Sequence, residues 1–187
     1  MNLSLQSPED VVNAALGRVG YRLRVGNLLE GSLAAKTALD IYGQTRDALL
    51  RRTDWGFSEK IVGPLTSTGT PPIPWLYEYT YPNDCLKLRY LYNATYTSNT
   101  TNPLPVLFKI GYDSGLSAKV IWTNAASATI VYSAQITAPA QWEPLFAETL
   151  IASLAKRLAP VLSSPDVEKM ASQDEKEIGA SSESIVG

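Results

Sequence analysis

The chain has 187 residues, 16 Lys and Arg against 18 Asp and Glu, a net charge of -2, no histidine and one cysteine. This length suits one domain, or one domain with a lobe, around a genuine hydrophobic core. The lack of histidine excludes Ser-His-Asp and Cys-His catalysis and His-ligated metals. The charge balance offers no clustered cation excess for gripping phosphates, and a lone Cys85 excludes an intrachain disulfide.

Charged residues make up 18% of the chain, a low share that suits neutral surface packed against another subunit. Residues 1–8 have neither a basic region nor a long apolar run, so no signal peptide is expected. No apolar stretch is long enough to cross a bilayer, and no membrane partner is expected.

Ser7-Pro8-Glu9-Asp10 is a helix start: Ser7 can cap, Pro8 suits the first helical position, and the acids favour the positive end of the dipole. Val11, Val12, Ala15, Leu16 and Val19 give that helix an apolar face, and Gly17 and Gly20 end it. Arg18, Arg22 and Arg24 form a local basic cluster, either solvated surface or a contact for an acidic neighbour. Ser32 starts a second helix by the same capping logic, with Ala35, Ala38, Leu39, Tyr42, Leu49 and Leu50 at helical spacing. Asp47 and Arg51 make a supporting pair one turn apart. Trp55 and Phe57 are expected to plug the end of this helix against a sheet.

From Lys60 the period changes, and Gly63 to Pro74 reads as turn or loop. Trp75, Tyr77, Tyr79 and Tyr81 alternate, Pro82-Asn83-Asp84 turns the chain, and Leu86, Leu88, Tyr90 and Tyr92 alternate again, which predicts a hairpin. Asn93 to Pro105 is polar, nearly uncharged and expected to be a long exposed loop. Val106 to Ile110, Lys119 to Trp122 and Ala128 to Tyr132 are three more strands, for a five- or six-stranded antiparallel sheet or small barrel. Trp142-Glu143-Pro144 opens the last large helix, striped by Phe146, Leu150, Ile151, Leu154, Ala155 and Leu158, with Pro160 kinking or ending it. The segment from Ser164 is charged, and Gly179 to Gly187 is small and polar. Such a tail is expected to be loose in an isolated subunit.

The chain carries no GxGxxG, P-loop or HExxH motif, so no cofactor, metal or enzymatic activity is expected. Cys85 reads as a small buried apolar residue. A carboxylate pair for glycoside hydrolysis could be assembled from Glu78 with Asp84 or Asp113, beside tyrosines acting as a sugar platform. Solvated surface is the plainer reading. The aromatic strand could also stack bases, but Lys87 and Arg89 are the only nearby cations.

Several segments in fixed order resemble the head-to-tail adaptor (connector), or tail tubular protein A, family of tailed bacteriophages. They are Asn13-Ala14-Ala15-Leu16-Gly17-Arg18-Val19-Gly20, Leu29-Glu30-Gly31-Ser32 with Ala34-Ala35, Tyr42 to Leu50, Trp55-Gly56-Phe57, Tyr79 to Leu86 and Leu150 to Leu158. Their order and spacing extend over roughly 160 residues, and agreement across levels is what makes the pattern informative. The resemblance implies an α+β fold. A bundle of about four helices, from residues 1–57 and 140–163, would carry an antiparallel β domain at 58–139 and a flexible tail at 164–187. It implies a ring, usually of twelve subunits, in the virion neck, assembled in the host cytoplasm and joining portal protein to tail nozzle or tail tube. Double-stranded DNA would pass without specific binding. The portal contact would fall in the tail, at Asp166, Glu168, Lys169, Glu175, Lys176 and Ile178. Arg18, Arg22, Arg24, Arg46 and Arg51 are the candidate subunit-interface residues. The alternatives are another neck or tail-completion ring (a stopper) and a carbohydrate-binding tail module.

Overall fold

The computed structural model describes residues 5–93 and 104–162. They form three α-helices and two three-stranded antiparallel sheets, an α+β fold. This corrects the expected bundle of about four helices built from both chain ends. Among the described residues, those of 1–57 and 140–162 supply only three α-helices, Pro8–Arg18, Leu33–Arg52 and Pro144–Leu162, and the expected tail at 164–187 lies outside the described residues. The chain divides into two units, Met1–Leu49 with Ile136–Gly187, and Leu50–Gln135.

In the first unit, helix α1 (Pro8–Arg18) starts with a reciprocal capping box. Ser7 Oγ accepts from the Asp10 amide at 3.2 Å, and Asp10 Oδ2 accepts from the Ser7 amide at 3.0 Å. The helix ends where Gly20 adopts φ +79, with Gly20 N–H donating to Gly17 O and Tyr21 N–H to Leu16 O. This is the paired-bond stop that glycine makes accessible. Val11, Val12, Ala15 and Leu16 are buried, and α1 packs on helix α3 (Pro144–Leu162). From α3 come Phe146, Leu150, Ile151, Leu154, Ala155 and Leu158, all buried. Fully burying a side chain of Leu or Phe size contributes about 1.5–3 kcal/mol. Pro160 does not end this helix, which runs through it to Leu162.

Helix α2 (Leu33–Arg52) opens with Ser32 Oγ accepting from Ala35 N–H at 3.2 Å. It buries Ala34, Ala35, Ala38 and Tyr42, while Leu39, expected on that face, is exposed. Between α1 and α2 the chain is pinned by Asn13. Its amide accepts from Val25 N–H at 2.8 Å and donates to Val25 O at 2.9 Å, substituting for a strand partner.

In the second unit, β1 (Glu59–Val62), β6 (Ala128–Ala134) and β3 (Cys85–Asn93) form one sheet in the order β1-β6-β3. The other sheet is β2 (Tyr77–Thr80), β5 (Ala118–Thr123) and β4 (Phe108–Asp113), in the order β2-β5-β4. The predicted 77–92 hairpin, and the single sheet or barrel with it, are therefore overturned. The turn at Pro82, closed by Cys85 N–H donating to Pro82 O at 3.0 Å, hands the chain from one sheet to the other. Strand β3 also breaks the expected alternation: Cys85, Leu88 and Leu91 are buried. Register shifts between Cys85 and Lys87 and between Leu88 and Tyr90 leave Leu86 and Arg89 without Cα partners on β6. Each such bulge resets which face the next residue occupies. Strand β1 escapes detection because it is four residues long and exposed at every position.

Candidate functional site

The polar residues of the second unit converge on two places. The first is the joint between α2 and β1. Arg89, aimed by its bulge, has a side chain only 4% exposed. Its guanidinium donates to Ser133 Oγ at 2.8 Å, Glu59 Oε2 at 2.8 Å, Trp55 O at 2.8 Å and Ser58 Oγ at 3.2 Å. Asp54 lies 3.4 Å from its Nε and accepts from Lys87 Nζ at 2.8 Å. The Lys87 hydrogen bond is the main reason the Asp54 carboxyl sits below the usual carboxylate range. A fork-shaped donor set of this kind holds a turn that has no regular ladder of its own. The tilted Trp55 and Phe57 rings, 6.2 Å apart, sit beside it.

Asp84 extends the same logic one turn further along the chain. It accepts from Lys60 Nζ at 2.6 Å and from Tyr132 OH at 3.0 Å, so the Pro82 turn is tied to β1 and β6. The Lys60 bond lowers the Asp84 carboxyl, while burial and then Asp84 itself push the Tyr132 hydroxyl up. Cys85 next to it is buried, with its thiol raised chiefly by that burial.

The second place is Glu78, which is 1% exposed. Its Oε2 accepts from the Trp122 indole N–H at 2.8 Å. Its carbonyl accepts from Thr68 N–H at 2.9 Å and Ser67 Oγ at 3.1 Å. Glu78 thus lies in β2 and Asp84 in the turn before β3, with different partners, and the two share no hydrogen-bond partner. Asp113 is near Glu78, but Glu78 is buried under the 63–76 segment, without the open face that a sugar ring needs. Tyr79, expected in a platform, is buried with its hydroxyl donating to Ala125 O at 2.7 Å.

The interface arginines separate on inspection. Arg18 meets Glu148 at 3.3 Å with both side chains well exposed, a weak pair. Arg22, Arg24 and Arg51 are exposed. Arg46 is buried: its Nε donates to Asp47 at 2.8 Å and its guanidinium lies 6.0 Å from the Tyr42 ring centroid. Burial, more than any neighbouring charge, pushes the Tyr42 hydroxyl up to about 12. Asp166, Glu168, Lys169, Glu175, Lys176 and Ile178 lie outside the described residues, as does 94–103 of the polar loop.

Two sheet edges present apolar side chains that sequence reasoning did not single out. On edge strand β4, Ile110 and Tyr112 are exposed, with Leu107 and Leu116 close by in sequence. On edge strand β1, Ile61 and Val62 are exposed. Edges of this kind are templates for pairing unless they are covered. Among the described residues, no group of three or more His, Cys, Asp or Glu could hold a metal ion, and no helix is long and apolar enough to cross a membrane. In comparisons with protein-family models and with curated proteins, nothing matches this chain.

Proposed function

We propose that this α+β protein is a structural adaptor subunit of a tailed-bacteriophage neck, forming a ring between portal and tail around the DNA path. One observation carries the reading: the segments that resemble the adaptor family coincide with the joints that hold this fold. Trp55-Gly56-Phe57 is the turn gripped by Arg89, and Tyr79 to Leu86 contains the Asp84 turn. Leu150 to Leu158 is the buried stripe of α3. A family that preserves a scaffold preserves such joints, because each is satisfied by several partners at once.

The exposed apolar residues of β1 and β4 supply surface for neighbouring subunits. A net charge of -2 suits a wall past which DNA slides without being held. In this reading the twelve-fold ring follows from the family resemblance alone, the portal contact lies in 164–187, and the nozzle or tail tube is met by the β unit.

The test is native mass spectrometry of the full chain, alone and mixed with the cognate portal, with a second sample lacking Ser164 to Gly187. A ring on the portal that is lost on truncation is the expected result. Unchanged portal binding after truncation would sink the assignment of the tail. Association with the tail tube and not the portal would place the chain in a stopper or tail-completion ring instead.

A further inference from the structure

A sheet edge carries unpaired N–H and C=O groups into solvent unless something covers it. The two sheets of the second unit end on β1 and β3, and on β2 and β4. Strand β2 is met by the 63–76 segment, with Thr68 N–H donating to Glu78 O at 2.9 Å and Gly69 bridging Glu78. Strand β3 receives Val106, whose N–H donates to Leu91 O at 2.7 Å. Strand β1 is only four residues long, and its charges are engaged, Glu59 by Arg89 and Lys60 by Asp84. Strand β4 differs. It has six residues, no proline and an unbroken register with β5, and among the described residues no other strand pairs with it.

Both faces of that edge carry apolar side chains. Residues directly opposite across a ladder share a face, so Tyr79, Ile121 and Ile110 form one row across the sheet. Tyr79 and Ile121 are fully buried, whereas Ile110 is 44% exposed and Tyr112, on the same face of β4, is 62% exposed. The core face of the sheet therefore runs out into solvent at β4. On the opposite face, a Cβ on Gly111 would collide with the Trp122 ring, so the glycine lets the indole lie across the strand. Lys109 and Asp113 share this face with Gly111. The Lys109 ammonium lies 5.8 Å from the Trp122 ring centroid, and Asp113 Oδ1 accepts the Gly115 and Leu116 amides.

The order of these residues is self-complementary. Laid antiparallel on a second copy with Gly111 opposite Gly111, β4 brings Ile110 against Tyr112 and Lys109 against Asp113, and the two-fold axis repeats each pair. The apolar pairs fall on the face that continues the core, and the opposite charges fall on the other. A lysine on an edge ordinarily deters pairing, but in this register it meets a carboxylate. A slip of one residue puts Lys109 against Tyr112, or Ile110 against Asp113, so the register is specified. We propose that β4 is a dimerisation edge, through which the free chain pairs with a second copy of itself by antiparallel strand addition about Gly111. Two-fold contacts of this kind are the commonest among soluble oligomers. The pair does not rest on the adaptor reading, which concerns the chain on a portal. A ring there would require the pair to open, because ring neighbours meet through unlike patches.

The test is native mass spectrometry and sedimentation of the full chain, alone, over a range of concentrations. A dimer is expected. Lys109→Glu places like charges opposite each other and should raise the dimer dissociation constant about tenfold or more. Tyr112→Lys should do the same, while Ile61→Lys on the β1 edge leaves it unchanged. Lys109, Tyr112 and Ile61 are all exposed, so these variants keep the fold. Register is read by disulfide formation: Ile110→Cys and Tyr112→Cys chains should cross-link when mixed and not singly, and the native Cys85 is buried. A monomer at every concentration would overturn the proposal. So would a dimer weakened by Ile61→Lys and not by the β4 changes, cross-linking as strong between like chains as between unlike ones, or a closed ring formed by the chain alone.

Discussion

Arg89 shows how much one side chain can hold. It satisfies two serine hydroxyls, a backbone carbonyl and a carboxylate, tying the Trp55 turn to Ser133 on β6. Replacing it by Ala removes four hydrogen bonds, but Trp55 O keeps its bond from Ser58 and Glu59 is partly exposed, so a loss of about 1.5–3 kcal/mol is expected in urea unfolding. Arg89→Lys keeps the charge without the fork and should recover part of that loss. A second residue-scale expectation concerns acid. Asp54 and Asp84 are lowered in the fold by their hydrogen bonds from Lys87 and Lys60. Their contribution is present above the ordinary carboxylate pKa and disappears as pH falls through the lowered values. Unfolding midpoints should drop on acidification, with a shallower drop in Asp84→Asn. Both pairs are partly exposed, so the effect is modest and weakened by salt.

At the scale of elements, the helices obey local rules more closely than the strands do. Helix α1 has its start, face and stop in the same dozen residues, from the Ser7 cap to the Gly20 turn. Ser7→Ala removes half of the capping box and should cost about 1 kcal/mol, read as a lowered urea midpoint with earlier exchange in the first turn of α1. Strand β3 is the opposite case. Its residues favour an extended chain, but two bulges decide which of them face inward, placing Leu88 and Leu91 in the core and Arg89 on the turn. Strand propensity says where extension is comfortable and is silent about the partner.

For the whole molecule, residue types and spacing determined a good deal without help from tertiary contacts. They placed the three described helices, the α3 stripe, the burial of Cys85 and most of the strand-forming segments, because capping, helical periodicity and apolar spacing are local properties. The pairing of strands was decided only by the tertiary structure. Tyr77–Thr80 and Cys85–Asn93, neighbours in sequence with matching alternation, joined different sheets, since β5 and β6 from much later in the chain supplied the partners. The candidate sites were less legible than the fold. Arg46 looked like a surface cation and is buried, and Glu78 looked like a solvated carboxylate and is buried with its carboxylate on Trp122, 44 residues away. A charge is exposed or buried according to what the rest of the chain lays over it. That depends on contacts tens of residues away, which no local pattern encodes.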